Sequence, residues 1–380
     1  MIVGVNLIPY TASSGIEVFA GNILASLAKL NQKHQLILFT NQASAKLFAN
    51  DFKTPQSLGY EETAARRVVI LPRRNLSTLN LLWYQQWGLP RQLRRYKIDL
   101  LFCPSMSMPL LWRKKIVTIH DLSWKREVGE SSWLGRLYLN LALWFVKHNA
   151  RQILTVSDFA AGELMAGAKI AKNKITVLKL AAPALSRPAD WPTVMAKYRL
   201  SRPYFFCIGN VRPRKNLERT IESFAQFNQA RKYYLVIAGK GDTKNLHQLA
   251  ANLSQADFVK FIGPVDEAEK VGLYEHALAL VFCSLYEGFG LPVLEAQTLG
   301  VPVLTSRTSS LPEVAGSGAI LVDPQSVDEI AAGLAKLVDD DELRQQIIAA
   351  GYHNLHRFSW EETAAKLLKF FDDYEASSSK

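Results

Sequence analysis

The chain is constrained most by a rhythm that runs its whole length: short apolar, β-rich runs alternate with stretches of helical periodicity. In the first half the runs are IVGVNL, HQLILFT, IDLLFCP, KIVTIHD, RQILTVS and KITVLKLA, with a helical pattern over about Ile16–Leu30 after the first of them. Their apolar residues are consecutive, not alternating, so each strand must be covered on both faces. That is the signature of a parallel sheet wrapped by helices. The rhythm breaks at AAPALSRPADWP, where Pro183, Pro188 and Pro192 predict a stiff, non-helical linker. It then restarts with YFFCIG, YYLVIAG, FVKFIG, LALVFCS, VPVLTS and AILVD, with helices expected from Asn216, near 244–253 and from Leu291, and at about 326–338, 341–350 and 360–375. The expected architecture is therefore α/β, with two doubly wound parallel-sheet domains in tandem, 1–185 and 186–358, and a terminal helical segment, 359–380. In such sheets ligands bind beyond the carboxyl ends of the strands, and two of them facing a central cleft would share that place, so the loops that follow strands are where chemistry is expected.

Composition sharpens the division. The 380 residues carry a formal net charge of +11, but residues 1–190 hold 25 basic and 11 acidic side chains while residues 191–380 hold 20 and 23. An anionic partner is expected for the first half only, either a nucleic acid or a membrane surface. Cys103, Cys207 and Cys283 each lie in or beside an apolar run and read as reduced core residues. The opening MIVGVNLIPY lacks a basic leader and reads as a buried strand. Trp133–Val146 is the longest apolar stretch, but Arg136 and Asn140 interrupt it and it is too short to span a bilayer.

Two loops stand out. The run EGFGLPVLE, residues 287–295, follows a strand and opens a helix with Pro292 in its first turn and Gly300 and Pro302 beyond its end. Gly288 and Gly290 allow close approach of a ligand to the backbone, and the amides of Gly288, Phe289, Gly290 and Leu291 lie at a positive helix end suited to phosphate oxygens or sugar hydroxyls. Glu287 and Glu295 flank that cradle; accepting hydrogen bonds from the hydroxyls of a sugar and a ribose would reconcile them with an anion site. The plainer alternative makes Glu295 a complement to the helix dipole and Glu287 a solvated acid. The second loop, GNVRPRKN at 209–216, also follows a strand. Gly209 closes the strand, Asn216 is expected to cap the next helix, and Arg212, Arg214 and Lys215 crowd the turn between them, suited to a diphosphate or simply a basic surface turn.

Glu287 and Glu295 with seven residues between them that include Gly-Phe-Gly, Arg212 with Lys215 after a strand, and IHD at 119–121 together resemble the retaining glycosyltransferases of the GT-B fold, family 4. The resemblance covers nearly the whole chain and implies two Rossmann-like domains facing a central cleft, with the last helix crossing back to the N-terminal domain. It implies that Glu295 binds the ribose, Glu287 the donor sugar, Arg212 and Lys215 the diphosphate, and the amides around Phe289 to Leu291 the sugar and phosphate. Gly209 and Asn210 would border the phosphates, the turn Gly263–Val265 would border the base, and His120 would face the donor sugar near the reacting carbon. Read without the family, His120 is an ordinary strand-end histidine. The loop SSGIE, 13–17, departs from the family's Gly-Gly pattern, with Ser14 before Gly15, which bears on how closely this loop approaches phosphate. The resemblance further points to transfer of a hexose, mannose from GDP-mannose, to a lipid-linked or oligosaccharide acceptor, with a UDP-sugar donor (glucose or GlcNAc) as the alternative.

No cofactor or metal is expected, because cations occupy the place where a metal would stabilise the leaving diphosphate, and Asp339 and Asp341 read as helix caps. No carboxylate is placed as a nucleophile on the opposite sugar face, so double displacement is not supported. A nucleic-acid-binding protein would explain the basic half but not the glutamate pair, and no such module is visible. A dehydrogenase is disfavoured because IPYTASSGIE after the first strand is not G-x-G-x-x-G. A nucleotide-sugar epimerase or hydrolase would be told apart by its products from donor alone. Six of the eight tryptophans lie between Trp83 and Trp144, among many cations. They suit either an anionic membrane surface, with the protein peripheral at its cytoplasmic face, or a core beneath solvated cationic helices.

Overall fold

The structure, a computed structural model, describes residues 1–9, 15–41, 66–70, 78–126 and 132–378, with the backbone alone at 66–68, 70, 78 and 79. The described residues form two compact units. One holds Met1–Leu122, the segment from Ser131 to Leu180, and Ser359–Lys380; the other holds Ala181–Phe358 with a short stretch beginning at Ser123.

In the first unit the strands are β1 (Ile2–Asn6), β2 (Gln35–Thr40), β3 (Arg66–Ile70), β4 (Leu100–Cys103), β5 (Lys115–Thr118), β6 (Gln152–Thr155) and β7 (Ile175–Val177). They pair in parallel in the order β3-β2-β1-β4-β5-β6-β7. The strands β1, β4 and β5 are almost wholly buried, as consecutive apolar residues require. The final helix, Trp360–Ser378, packs on the first helix, Gly15–Leu30, and buries Phe371 against the ring of His34. The sequence reading had no strand at β3; its two valines and one isoleucine are too short an apolar run to stand out, and its pairing with β2 defines it.

The second unit contains β8 (Tyr204–Ile208), β9 (Tyr234–Ala238), β10 (Val259–Gly263), β11 (Ala279–Phe282), β12 (Val303–Ser306) and β13 (Ile320–Val322), all parallel, in the order β10-β9-β8-β11-β12-β13. Phe205 and Cys207 point into a cluster with Ile221, Phe224, Ile237 and Leu334, whereas Phe206 meets the ring of Tyr274 on the other face. Both faces of β8 are thus filled, and the order reverses between β8 and β11, which opens a crevice at their carboxyl ends.

Several local expectations are corrected. Pro192 does not belong to the linker: Asp190 accepts a hydrogen bond from the Thr193 amide and caps a helix, Trp191–Tyr198, in which the proline sits in the first turn, where no amide is needed. The cap of the helix Asp341–Leu355 is Asp340, which accepts from the Leu343 amide, while Asp339 pairs with Arg231 and Asp341 with Arg344. The helices Asp158–Ala168, Glu267–Glu275 and Leu311–Ala315 went unread because their apolar faces are short.

Candidate functional site

The two loops singled out in the sequence are brought together where the β8–β11 order reverses. Leaving β8, Gly209 turns the backbone with φ +135°, and a Cβ there would stand 3.1 Å from Lys215 Cε and 3.2 Å from its Nζ. Glycine therefore leaves the space through which the Lys215 side chain crosses the strand end. Pro213–Lys215 forms one 3-10 turn, Asn216 follows with φ +59°, and the helix Leu217–Phe227 begins. Asn216 does not cap this helix with its side chain; its amide donates instead to the carbonyls of Cys283 and Pro324, 3.0 and 2.6 Å away. A buried amide that closes two backbone carbonyls is thereby satisfied, and one of those carbonyls belongs to the loop after β11.

The two loops are joined by further bonds. The Leu285 amide donates to the Arg214 carbonyl at 2.8 Å, and the Arg214 guanidinium donates to the Tyr286 carbonyl at 3.3 Å and to Glu287 Oε2 at 2.8 Å. Lys215 Nζ stands 2.6 Å from Glu287 Oε1 and 4.3 Å above the Phe282 ring. Glu287 is buried, which alone would raise its pKa, but Lys215 and Arg214 outweigh that and hold its carboxyl below the ordinary range. Arg212 lies exposed at the start of the turn, so Arg214, not Arg212, accompanies Lys215 on the carboxylate.

After Glu287 the chain runs through Gly288 and Phe289 to Gly290, whose φ of +115° starts the helix Leu291–Thr298, with Pro292 in its first turn. Ser309 and Ser310 set this loop: the Glu287 amide donates to Ser309 Oγ, and Ser310 Oγ bonds the carbonyls of Glu287 and Phe289 at 2.9 and 2.7 Å. Glu295, one turn on, is buried with both oxygens engaged. Lys270 Nζ is 3.0 Å from Oε1 and the Tyr274 hydroxyl donates to Oε2 at 3.0 Å. Burial, and then the charge of Glu295, pushes the Tyr274 hydroxyl well above its ordinary pKa, so it remains a donor. Lys270 and Tyr274 share one face of the helix Glu267–Glu275, whose Asp266–Glu269 capping box fixes its start. The two carboxylates are thus neutralised by cations of the chain itself, a solution that needs no ligand hydroxyl. Lys270, Tyr274, Ser309 and Ser310 were missed in sequence, and only the four-residue spacing of Lys270 and Tyr274 could have pointed to a shared face.

Gly263 ends β10 at φ +72°, its carbonyl accepting from the Gly239 amide at 2.8 Å; Val265 is half-buried and Asn210 exposed. In the first unit, Gly15 is the exposed first residue of its helix, while Ser13 and Ser14 lie outside the described residues. His120 follows β5, with Nε2 2.8 Å from the Pro104 carbonyl and its ring 5.1 Å from that of Phe19. A carbonyl only accepts, so Nε2 carries the proton, and burial lowers the imidazole pKa to favour the neutral form. Among the described residues, the one group able to collect metal-ligating atoms is His34, Asp372 and Glu375, but Lys33 Nζ already stands 2.7 and 2.8 Å from the two carboxylates.

Residues 13–180 match the family described as Glycosyltransferase Family 4, and residues 195–354 match Glycosyl transferases group 1. O-antigen chain mannosyltransferase B of Escherichia coli is 31% identical over 296 residues, 76% of this chain and 76% of that protein. The chain belongs to the family 4 glycosyltransferases. This transferase is also 25% identical over 271 residues to O-antigen chain mannosyltransferase RfbU of Salmonella typhimurium, covering 71% of this chain and 74% of that one. Its fold is that of WaaG, a glycosyltransferase involved in lipopolysaccharide biosynthesis, with a TM-score of 0.70 over 97% of this chain and 98% of the other at 16% identity. The GT-B architecture expected from sequence is therefore the fold of the transferase.

Proposed function

We propose that this glycosyltransferase moves mannose from GDP-mannose, with retention and without a metal, to a saccharide or lipid-linked acceptor in surface-polysaccharide assembly, working peripherally at the cytoplasmic face of a membrane. The observation that carries the reading is the pairing of Arg214 and Lys215 with buried Glu287 at the β8–β11 reversal. Two cations already desolvated at a strand-to-helix turn are preorganised for charge that grows on a departing diphosphate. When the diphosphate takes up part of that charge, the Glu287 oxygens turn to the hydroxyls of the donor sugar. Glu295, held by Lys270 and Tyr274, keeps lone pairs for the ribose. Gly209 and Asn210 border the phosphates, Gly263 and Val265 the base, and the Gly288–Leu291 backbone the sugar; Arg212 and Gly15 are further phosphate contacts. His120 is assigned to the donor sugar, near the reacting carbon. The acceptor oxygen attacks the anomeric carbon from the face the leaving group departs, the carbon–phosphate oxygen bond breaks, and the acceptor proton passes to that phosphate oxygen. Mannose and polysaccharide assembly are supported by the two O-antigen mannosyltransferase relatives.

A thermal-shift series with GDP-, UDP- and ADP-sugars tests the donor, since a ligand at about 100 times its Kd stabilises the fold by roughly 2.7 kcal/mol. GDP-mannose is expected to give the largest shift; a larger shift with a UDP-sugar overturns the donor assignment. Lys215→Ala and Glu287→Gln are expected to lose transfer by about 100-fold or more while their circular dichroism stays native, and full transfer by either removes the site assignment.

A further inference from the structure

Four of the six tryptophans of the basic half are not core residues, whereas Trp124 is buried and Trp112 half-buried. Trp83 is 69% exposed, Trp87 56%, Trp133 73% and Trp144 54%. Two helical segments carry them. In Thr78–Arg95 a π turn at Tyr84–Gly88 interrupts the helix; Trp83 and Trp87 stand with ring centroids 5.9 Å apart, and exposed Arg91, Arg94 and Arg95 continue along the same segment. In Trp133–Asn149, Trp133, Leu137, Leu141 and Trp144 recur at spacings of three and four, so one face of the helix is apolar and uncovered, while its opposite face buries Ala142, Leu143 and Val146.

The loop after β4 ties these segments together. Gln86 bonds the Met108 carbonyl and the Leu110 amide at 3.0 and 2.8 Å, and the Asn149 amide reaches the Leu110 carbonyl at 3.4 Å. Between these anchors Leu111 projects, 77% exposed, followed by exposed Arg113 and Lys114. Neither helical segment contains an aspartate or glutamate.

We propose that this surface is a membrane-insertion face: Trp83, Trp87, Leu111, Trp133, Leu137 and Trp144 enter the interfacial layer of an anionic bilayer, and the neighbouring arginines and lysines contact its phosphates. It rests on the lipid-acceptor reading for its purpose but not for its test. Tryptophan beside guanidinium, with no carboxylate, matches the headgroup region, where the ring wants one apolar and one wet side and the cation a phosphate. A second copy of the chain fits poorly, because a two-fold contact through this face would set the Arg91–Arg95 cluster against itself. No helix among the described residues is long and apolar enough to cross a membrane, so the segment lies on the bilayer and does not span it.

The test is co-sedimentation of the full-length protein with vesicles of phosphatidylcholine alone or mixed with phosphatidylglycerol, alongside transfer to a soluble acceptor. Wild type is expected to bind the anionic vesicles and to release in high salt. Trp83→Ser/Trp87→Ser and Trp133→Ser/Trp144→Ser should each weaken binding by about tenfold, and Arg94→Gln/Arg95→Gln should weaken it less, with soluble transfer unchanged in all three. An active wild type indifferent to anionic vesicles overturns the proposal, as does binding that the tryptophan variants retain, or a wild-type dimer that these variants turn into monomers with no vesicle binding. Protein that binds through these residues but transfers no sugar removes the sugar-transfer reading and leaves the surface standing.

Discussion

Glu287 is expensive to bury and is held charged by Arg214 and Lys215. Because its folded pKa lies below the ordinary value of about 4.5, the stability this carboxylate contributes is complete above that pH and drains away as the pH falls below it. Glu287→Gln is therefore expected to flatten the acid limb of a melting-temperature profile below about pH 4.5, and an unchanged limb would show that other carboxylates govern acid unfolding. Replacing Glu287 by Ala instead removes the carboxylate that neutralises two partly buried cations and should cost about 3 kcal/mol in denaturant unfolding. Tyr274 is the matching case on the other carboxylate. Tyr274→Phe removes one hydrogen bond to Glu295 and should cost about 1 kcal/mol. If Glu295 positions the donor, the variant raises donor KM more than it lowers kcat; equal losses in both would make Tyr274 structural alone. Both glutamates were legible in sequence as a spaced pair, yet their partners were not. Arg214 was seen only as one of three basic residues, because a turn's pitch, and not its composition, selects which side chain points at the carboxylate.

At the scale of elements, the site depends on where helices begin. The helix Glu267–Glu275 starts at the Asp266–Glu269 box and so sets the rotation that brings Lys270 and Tyr274 under Glu295. Asp266→Ala is expected to lower stability by about 1 kcal/mol, read from denaturant unfolding, and to weaken donor binding with it. Long helices with a strong periodic face, such as Gly15–Leu30 and Val327–Asp339, were readable from sequence. The helices Glu267–Glu275 and Leu311–Ala315 were not, since the first buries the consecutive run Lys270 to Tyr274 with no periodic stripe and the second has only five residues. Asn216 was misread for a related reason: asparagine prefers helix starts, but here the backbone takes the left-handed region and the side chain closes carbonyls from elsewhere in the chain.

Over the whole molecule, the final helix is sequence-distant from the unit it completes. Phe371 is fully buried against His34 in the first unit, 337 residues away in the chain. Phe371→Ala should cost about 3–4 kcal/mol, and it should do so in the unfolding transition of the first unit while leaving that of the second in place. A shift of both transitions together would mean that the units unfold as one. The sequence by itself determined the α/β class, twelve of the thirteen strands described, the break between the two doubly wound sheets and the loops that carry the glutamates, because each of these is written in local periodicity or in residues a few positions apart. Only the tertiary structure decided which cations neutralise those glutamates, that Trp83, Trp87, Trp133 and Trp144 face outward, and that a strand as short as Arg66–Ile70 joins the sheet. Those outcomes turn on pairings between residues far apart in the chain, where the packing of each side chain depends on neighbours that no local pattern contains.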